Sequence, residues 1–255
     1  MTAPARDELS SFLHPAVREI HRDGTLWVLD KPAGVLSHPN PPGTRAPNAL
    51  VRGPYDFERE LYRVEPPGGK QRQVHLVHRL DQETSGIILC TFDGASSADL
   101  KEAFYHREVT KEYRALVVGV PGQKQGEWSD RLEKASRGGQ AVVTVARGRP
   151  NAVTRFAVIE VFRGKGLALL SLWPETGRTH QLRVQAASRG FPIAGDGRYG
   201  NFAANRRLEA EIGLKHMFLH AHRIELRHPR TGHRLKLEAP MSSRLTAPLE
   251  RLRGA

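Results

Sequence analysis

The chain has 255 residues, 39% of them hydrophobic and 26% charged, and carries 39 Lys and Arg against 27 Asp and Glu for a formal net charge of +12. That length buries a sizeable core, and the balance excludes a disordered tail. Apolar runs such as Ala168–Trp173 are far too short to cross a bilayer. The cation surplus points to a polyanionic partner, and arginine, which outnumbers lysine, suits forked contacts to phosphate oxygens and stacking on bases. No basic amphipathic helix or lipidation signal marks a membrane surface, and Met1–Ser11 lacks the apolar stretch of a secretion signal. The single cysteine, Cys90, sits in an apolar strand and forms no internal disulfide, so an inert buried thiol in a reducing cytoplasm is expected.

In chain order, residues 1–20 read as an N-terminal extension with one short helix, ahead of one domain over 21–255. Thr25–Leu29 has strand character and ends in the turn Lys31–Gly34. Residues 38–73 are rich in Pro, Gly and charge, a loop with one helical stretch around Asp56–Tyr62. Ser96 or Ser97 can cap a helix running to about His106, with Leu100, Ala103 and Phe104 on one face. Tyr113–Val120 reads as a strand, and the polar stretch 126–150 contains a β-branched segment at Val142–Val145. Val153–Phe162 and Leu167–Trp173 form a hairpin around Arg163–Gly166. Helices follow over Arg178–Ser188, closed by Gly190, and over Ala203–Ile212, ended by Gly213. A last hairpin joins Met217–Leu226 to His233–Leu237. Strands outnumber helices without regular alternation, so the expected class is α+β on a mixed, mostly antiparallel sheet.

Five segments carry candidate chemistry. His78-Arg79-Leu80-Asp81-Gln82-Glu83-Thr84-Ser85-Gly86 runs directly into the apolar Ile87–Cys90, which fixes one arginine and one carboxylate to the start of a rigid strand. An isolated R-x-D would equally suit an aspartate packed in a turn. Lys31-Pro32-Ala33-Gly34 leads to His38-Pro39, and Lys111-Glu112-Tyr113 opens Arg114–Val117. Thr176-Gly177-Arg178-Thr179-His180-Gln181-Leu182-Arg183-Val184 precedes Gly195-Asp196 and Tyr199-Gly200, and Phe218-Leu219-His220-Ala221 follows. Taken in chain order, from about residue 25 to 240, they resemble the pseudouridine synthases of the RluA type, with their patterns K-P-x-G-x-x-x-H-P, H-R-L-D-x-x-T-S-G, K-x-Y-x-A-L-V, T-G-R-x-H-Q-L-R-V-H, G-H-P-I-x-G-D-x-x-Y-G and L-L-H-A. Gln185 and Phe191 depart from the family's usual histidines, which touches substrate detail and not the assigned chemistry.

The resemblance implies a catalytic domain with a central cleft that converts uridine in RNA to pseudouridine. This reaction breaks N1–C1′ and joins C5 to C1′ without redox change, so no cofactor or metal is expected. Asp81 would attack C1′ or remove a sugar proton. Arg183 would favour its ionised form, Tyr113 would stack on the base and Leu219 would line the pocket floor. Arg79 would fill the place of the flipped nucleotide, while Arg178 and His180 would contact RNA. The expected partner is tRNA in preference to ribosomal RNA, and a monomer is favoured. About 20 residues ahead of the domain are too few for the S4-type RNA-binding module of many relatives.

Other readings are weaker. His220 and His222 point to one face of a strand, yet no third ligand stands at recognisable spacing. Asp81 and Glu83 could form the carboxylate pair of a glycoside hydrolase, but one aspartate beside an arginine fits the motif better. No phosphate-binding glycine loop appears, Gly138-Gly139 reading as a turn. The competing class is a non-catalytic RNA-binding or chaperone protein on the same fold. The 38–73 insert, with its tip at about Pro66–Lys70, is the candidate element for substrate choice.

Overall fold

The computed structural model describes residues 8–39, 48–65, 70–137 and 140–254. In chain order its elements are β1 Arg18–Arg22, β2 Leu26–Lys31, β3 Tyr55–Asp56, β4 Leu61–Val64, β5 Arg72–Leu76, β6 Ser85–Thr91, α1 Gly94–Tyr105, β7 Thr110–Val118, β8 Gln125–Arg137, β9 Gln140–Ala146, β10 Ala152–Phe162, β11 Leu167–Pro174, α2 Gln181–Ser188, α3 Phe202–Ile212, β12 Leu219–Arg227, β13 Arg234–Glu238 and α4 Ser243–Arg253. They gather into two compact units, Met1–Val109 with Glu225–Ala239, and Thr110–Ile224 with Pro240–Ala255. Among the described residues no helix is long and apolar enough to cross a membrane.

In the first unit β1, β2, β6, β5, β4 and β3 pair in that order, each pair antiparallel. Strand β6 is buried along its whole length, which is why its sequence is a continuous apolar run and not an alternating one. Trp27, Leu29, Tyr62, Val74, Ile88 and Cys90 form the core beneath it. The expected N-terminal extension is already part of this unit. Leu13 and Val17 are buried in the core, Leu13 bridges Val51, and β1 begins at Arg18.

The second unit pairs β7 with β11, β11 with β10, β10 with β8, and β8 with β9, again antiparallel. Strand period separates two cores on opposite faces. Ala115 and Val117 join Leu170, Leu172 and Leu182 of α2. Leu116 and Leu169 join Leu208 and Ile212 of α3 and Leu245 and Leu249 of α4. The expected α+β class on a mostly antiparallel sheet therefore holds.

Several local expectations are corrected. The Asp56–Tyr62 stretch is not helical but the turn of the β3/β4 hairpin. Asp56 Oδ1 accepts from the amides of Glu58 and Arg59 and so competes with a helix. Helix α1 is capped by Asp93, whose carboxylate accepts from the Ser96 amide, while Ser96 and Ser97 are buried inside it. Helix α2 starts at Gln181 and not Arg178, because Gln181 Oε1 accepts from Thr176 Oγ1 and the Arg178 amide and closes a turn before the helix. The 126–150 stretch holds a long hairpin, β8 and β9, whose expected Gly138-Gly139 turn lies outside the described residues. The tip at Pro66–Lys70 lies outside them too, apart from Lys70. Helix α4 follows the last expected element, and Pro248 in its middle breaks the pattern that would announce it.

Gly195 shows how tightly the second unit is fitted. Its φ is +76°, and a Cβ there would stand 2.1 Å from the carbonyl oxygen of His216. Gly195→Ala should destabilise the protein by about 2–4 kcal/mol in denaturant titration, from backbone displacement plus left-handed strain. Gly24→Ala, with open space around it, should stay within about 0.5 kcal/mol.

Candidate active site

Asp81 and Arg79 sit on the loop between β5 and β6 in the first unit. Ser37 Oγ donates to the Leu80 carbonyl at 2.9 Å and accepts from the Leu80 amide at 3.0 Å, so one hydroxyl holds both backbone polar groups of the residue before Asp81. Tyr62 Oη in turn donates to the Ser37 carbonyl at 2.8 Å. On the other side of Asp81 the Gln82 carbonyl accepts from Lys31 Nζ at 3.0 Å and from the Gly34 amide at 2.9 Å. Gln82 Nε2 donates back to the Gly34 carbonyl. Gly34 has φ +89°, which only glycine adopts without strain, so the position is tied to that exchange. The Thr84 amide closes the turn on the Asp81 carbonyl at 3.1 Å.

The residues flanking this turn are fixed as well. His78 Nε2 accepts from the Leu89 amide, and its ring stacks on Phe104 of α1 at 5.0 Å. Arg79 Nη1 donates to His38 Nε2 at 3.0 Å. His38 Nδ1 donates to the Pro39 carbonyl, which leaves Nε2 the acceptor, and its ring stacks on Tyr55. The segment from Lys31 to Pro39 is therefore the brace of the Asp81 loop. Lys31, Ser37 and His38 were not singled out individually in the sequence, and only their fixed spacing signalled them.

Lys31 is fully buried, and its Nζ donates to the carbonyls of Pro32, Val35 and Gln82, the full complement of an ammonium. Burial pushes its pKa down to about 7, opposed by the carboxylates of Glu83, Asp81 and Asp30. Cys90, buried in β6, is pushed up to about 12 by burial alone, so it stays an inert thiol.

In the second unit the structure brings Tyr113 and Leu219 together. Leu219 is buried in the cluster that includes Leu172 and Leu182, and Tyr113 packs against it. A second group forms around Arg183. Its Nε and Nη2 bind the two oxygens of Asp196, both at 2.8 Å, and its guanidinium lies 5.2 Å over the Tyr199 ring. Burial raises the Asp196 pKa, but the Arg183 pair and the amides of Tyr199 and Arg198 outweigh it, so the carboxyl ends below its ordinary range. His180 adopts a left-handed backbone, φ +53°, and its Nδ1 is hydrogen-bonded at 2.8 Å to Tyr199 Oη, which also accepts from the Val143 amide. Arg178 stands apart, exposed, with Nε donating to the Asn151 carbonyl. Asp196 and Tyr199 are thus positioning residues that sequence reading left unassigned, though both lay in the quoted G-D-x-x-Y-G string.

Both departures from the family pattern have a packing role. Gln185 is fully buried, accepts from Thr154 Oγ1, and donates to the Trp128 carbonyl and to Asp130. Phe191 packs on the second unit's core. His220 and His222 have ring centroids 6.1 Å apart, but no group of three metal-ligating side chains occurs among the described residues.

Residues 25–188 match the family described as RNA pseudouridylate synthase. The chain is 33% identical over 245 residues to ribosomal large subunit pseudouridine synthase C of Escherichia coli, covering 92% of this chain and 70% of that protein. It is 32% identical over 235 residues to an uncharacterized RNA pseudouridine synthase of Mycobacterium bovis, covering 92% and 72%. Among solved structures, human RNA pseudouridylate synthase domain containing 4 superimposes with a TM-score of 0.67 at 26% identity, covering 92% of each chain.

Lys31 makes stability depend on pH. Between about pH 7 and its ordinary value of 10.5 it holds fewer protons folded than unfolded, so stability rises with pH across that window. Below about pH 7 both states are protonated and the burial penalty is carried in full. Denaturant midpoints at pH 7 and 8.5, below the ordinary thiol pKa of 9.0 for Cys90, should rise in the natural protein. That rise should be smaller in Lys31→Met, where the remainder comes from Lys111, which burial pushes down to about 8.

Proposed function

The chain belongs to the RNA pseudouridylate synthase family and is an isomerase acting on RNA, and from that premise we propose how its residues divide the work. Asp81 is the catalytic carboxylate. Its carboxylate either bonds C1′ as N1–C1′ breaks or takes a sugar proton as that bond breaks to give a glycal. In both routes the uracil turns and C5 joins C1′, in the first as the Asp81–C1′ bond breaks and in the second as Asp81 returns its proton to the sugar; C5 then loses its proton and N1 takes one up. The observation that carries this assignment is the double clamp on Leu80 and Gln82, which holds the aspartate from both sides. A reacting group held this way loses little freedom on reaching the transition state.

Tyr113 offers the extruded uracil a face to stack on, and Leu219, in the same cluster, the apolar floor. Arg183 supplies the positive charge that keeps a carboxylate ionised when a base displaces its water, and its pairing with Asp196 fixes the plane in which that charge is presented. Arg79 takes the place of the flipped nucleotide. Arg178 and His180 contact the RNA backbone, with the surplus cations setting affinity. No cofactor enters this scheme, and the cytoplasm, where bacterial ribosomal RNA is made, is the place of action.

For the substrate we propose large-subunit ribosomal RNA, replacing the preference for tRNA read from the sequence. The support is the similarity to the ribosomal large subunit pseudouridine synthase C of Escherichia coli. Pseudouridine mapping of total RNA from cells with and without the gene should show a lost site in large-subunit ribosomal RNA. A site lost only from tRNA would overturn the choice.

Asp81→Asn should lower isomerisation by at least about 10³-fold while RNA affinity hardly changes. Near-normal turnover would remove Asp81 from its role and favour the non-catalytic reading. Ser37→Ala, which frees Leu80 without touching the carboxylate, should cut kcat about tenfold and leave KM alone in single-turnover and steady-state assays.

A further inference from the structure

Helix α1 ends in a rigid turn that carries the most exposed large apolar side chain among the described residues. Tyr105 is 82% exposed, well above Phe202 at 57%. The turn is closed by the Arg107 amide on the Phe104 carbonyl and the Glu108 amide on the Ala103 carbonyl. This double closure places Arg107 at φ +61°, in a left-handed slot that glycine fills without strain. The ring of Tyr105 is thus presented from a fixed backbone, with His106 edge-on to it at 5.2 Å and a cation two residues on. The adjacent Phe104 faces inward and stacks on His78, which immediately precedes Arg79 in the Asp81 loop. Tyr105 is therefore one residue along the chain from a ring contact with the loop assigned to catalysis.

An exposed aromatic on a rigid turn suits one class of occupant. A nucleobase offers a flat π-face, and the phosphates around it suit a chain with net charge +12, although Glu102 and Glu108 stand beside Arg107 on the turn itself. We propose that Tyr105 is a stacking platform for an unpaired nucleobase of the substrate RNA, flanking the nucleotide delivered to the Asp81 loop. The identity of that substrate rests on the isomerase reading, whereas the stacking contact does not. An apolar protein partner is the competing occupant.

The test uses the full chain, a single-stranded oligouridylate and an abasic ribose-phosphate strand of equal length. Trp27 and Trp128 are buried and Trp173 is half-buried, so quenching in Tyr105→Trp beyond that of the natural protein reports the added surface indole. Oligouridylate should quench that added fluorescence, and the abasic strand should not. Tyr105→Ala should weaken oligouridylate binding by about tenfold with the dependence on log salt unchanged, and Tyr105→Phe should retain it. On large-subunit ribosomal RNA, Tyr105→Ala should raise KM and spare kcat. Equal quenching by both strands, or unaltered binding by Tyr105→Ala, would overturn the proposal. If the natural protein isomerised no RNA while base-dependent quenching persisted, the functional reading would fall and the platform would stand.

Discussion

A single serine hydroxyl decides whether the Asp81 loop has one geometry or many. Ser37 Oγ is both donor and acceptor for the backbone of Leu80, and it is itself fixed because Tyr62 holds its carbonyl from inside the core. On the far side of Asp81, Gln82 is tied to Lys31 and Gly34. Loops are ordinarily the most mobile part of a domain. This one borrows rigidity from a segment more than forty residues earlier, so the aspartate is positioned by tertiary contacts and not by local turn preference.

The second unit solves a related problem with charge. Arg183 is almost wholly buried, and an unpaired guanidinium there would be costly. Its forked pairing with Asp196, and the amides of Arg198 and Tyr199 that also bind that carboxylate, satisfy both partners. Glu112 does the same on β7, where its buried carboxylate accepts from Ser171, Arg114 and Arg223. In a chain so rich in arginine, these acids fix where the cations paired with them point.

Much of this was legible in the residues. The apolar run Ile87–Cys90 announced a buried strand, the turn Arg163–Gly166 announced the β10/β11 hairpin, and Gly190 and Gly213 marked helix ends at which they do adopt left-handed backbone. The clustering of Tyr113 with Leu219 was implied by motif resemblance and not by spacing. Errors fell where a side chain captures backbone. Asp56 makes a turn of a stretch whose composition suits a helix, and Gln181 delays α2 by tying up Thr176 and Arg178. The brace residues were hidden for a different reason. Lys31 and Ser37 look like loop polarity until Gln82 and Leu80 are seen folded against them, some forty to fifty residues away.

The contacts fastening the Asp81 turn are short and largely enclosed, and most join uncharged groups. Dissolved ions screen exposed charges over about 8 Å at physiological strength but hardly reach such contacts. Capture of a polyanion by surface arginines has the opposite sensitivity. Raising ionic strength thus separates two properties that usually fade together: the grip on nucleic acid loosens, while the machinery that awaits it keeps its shape.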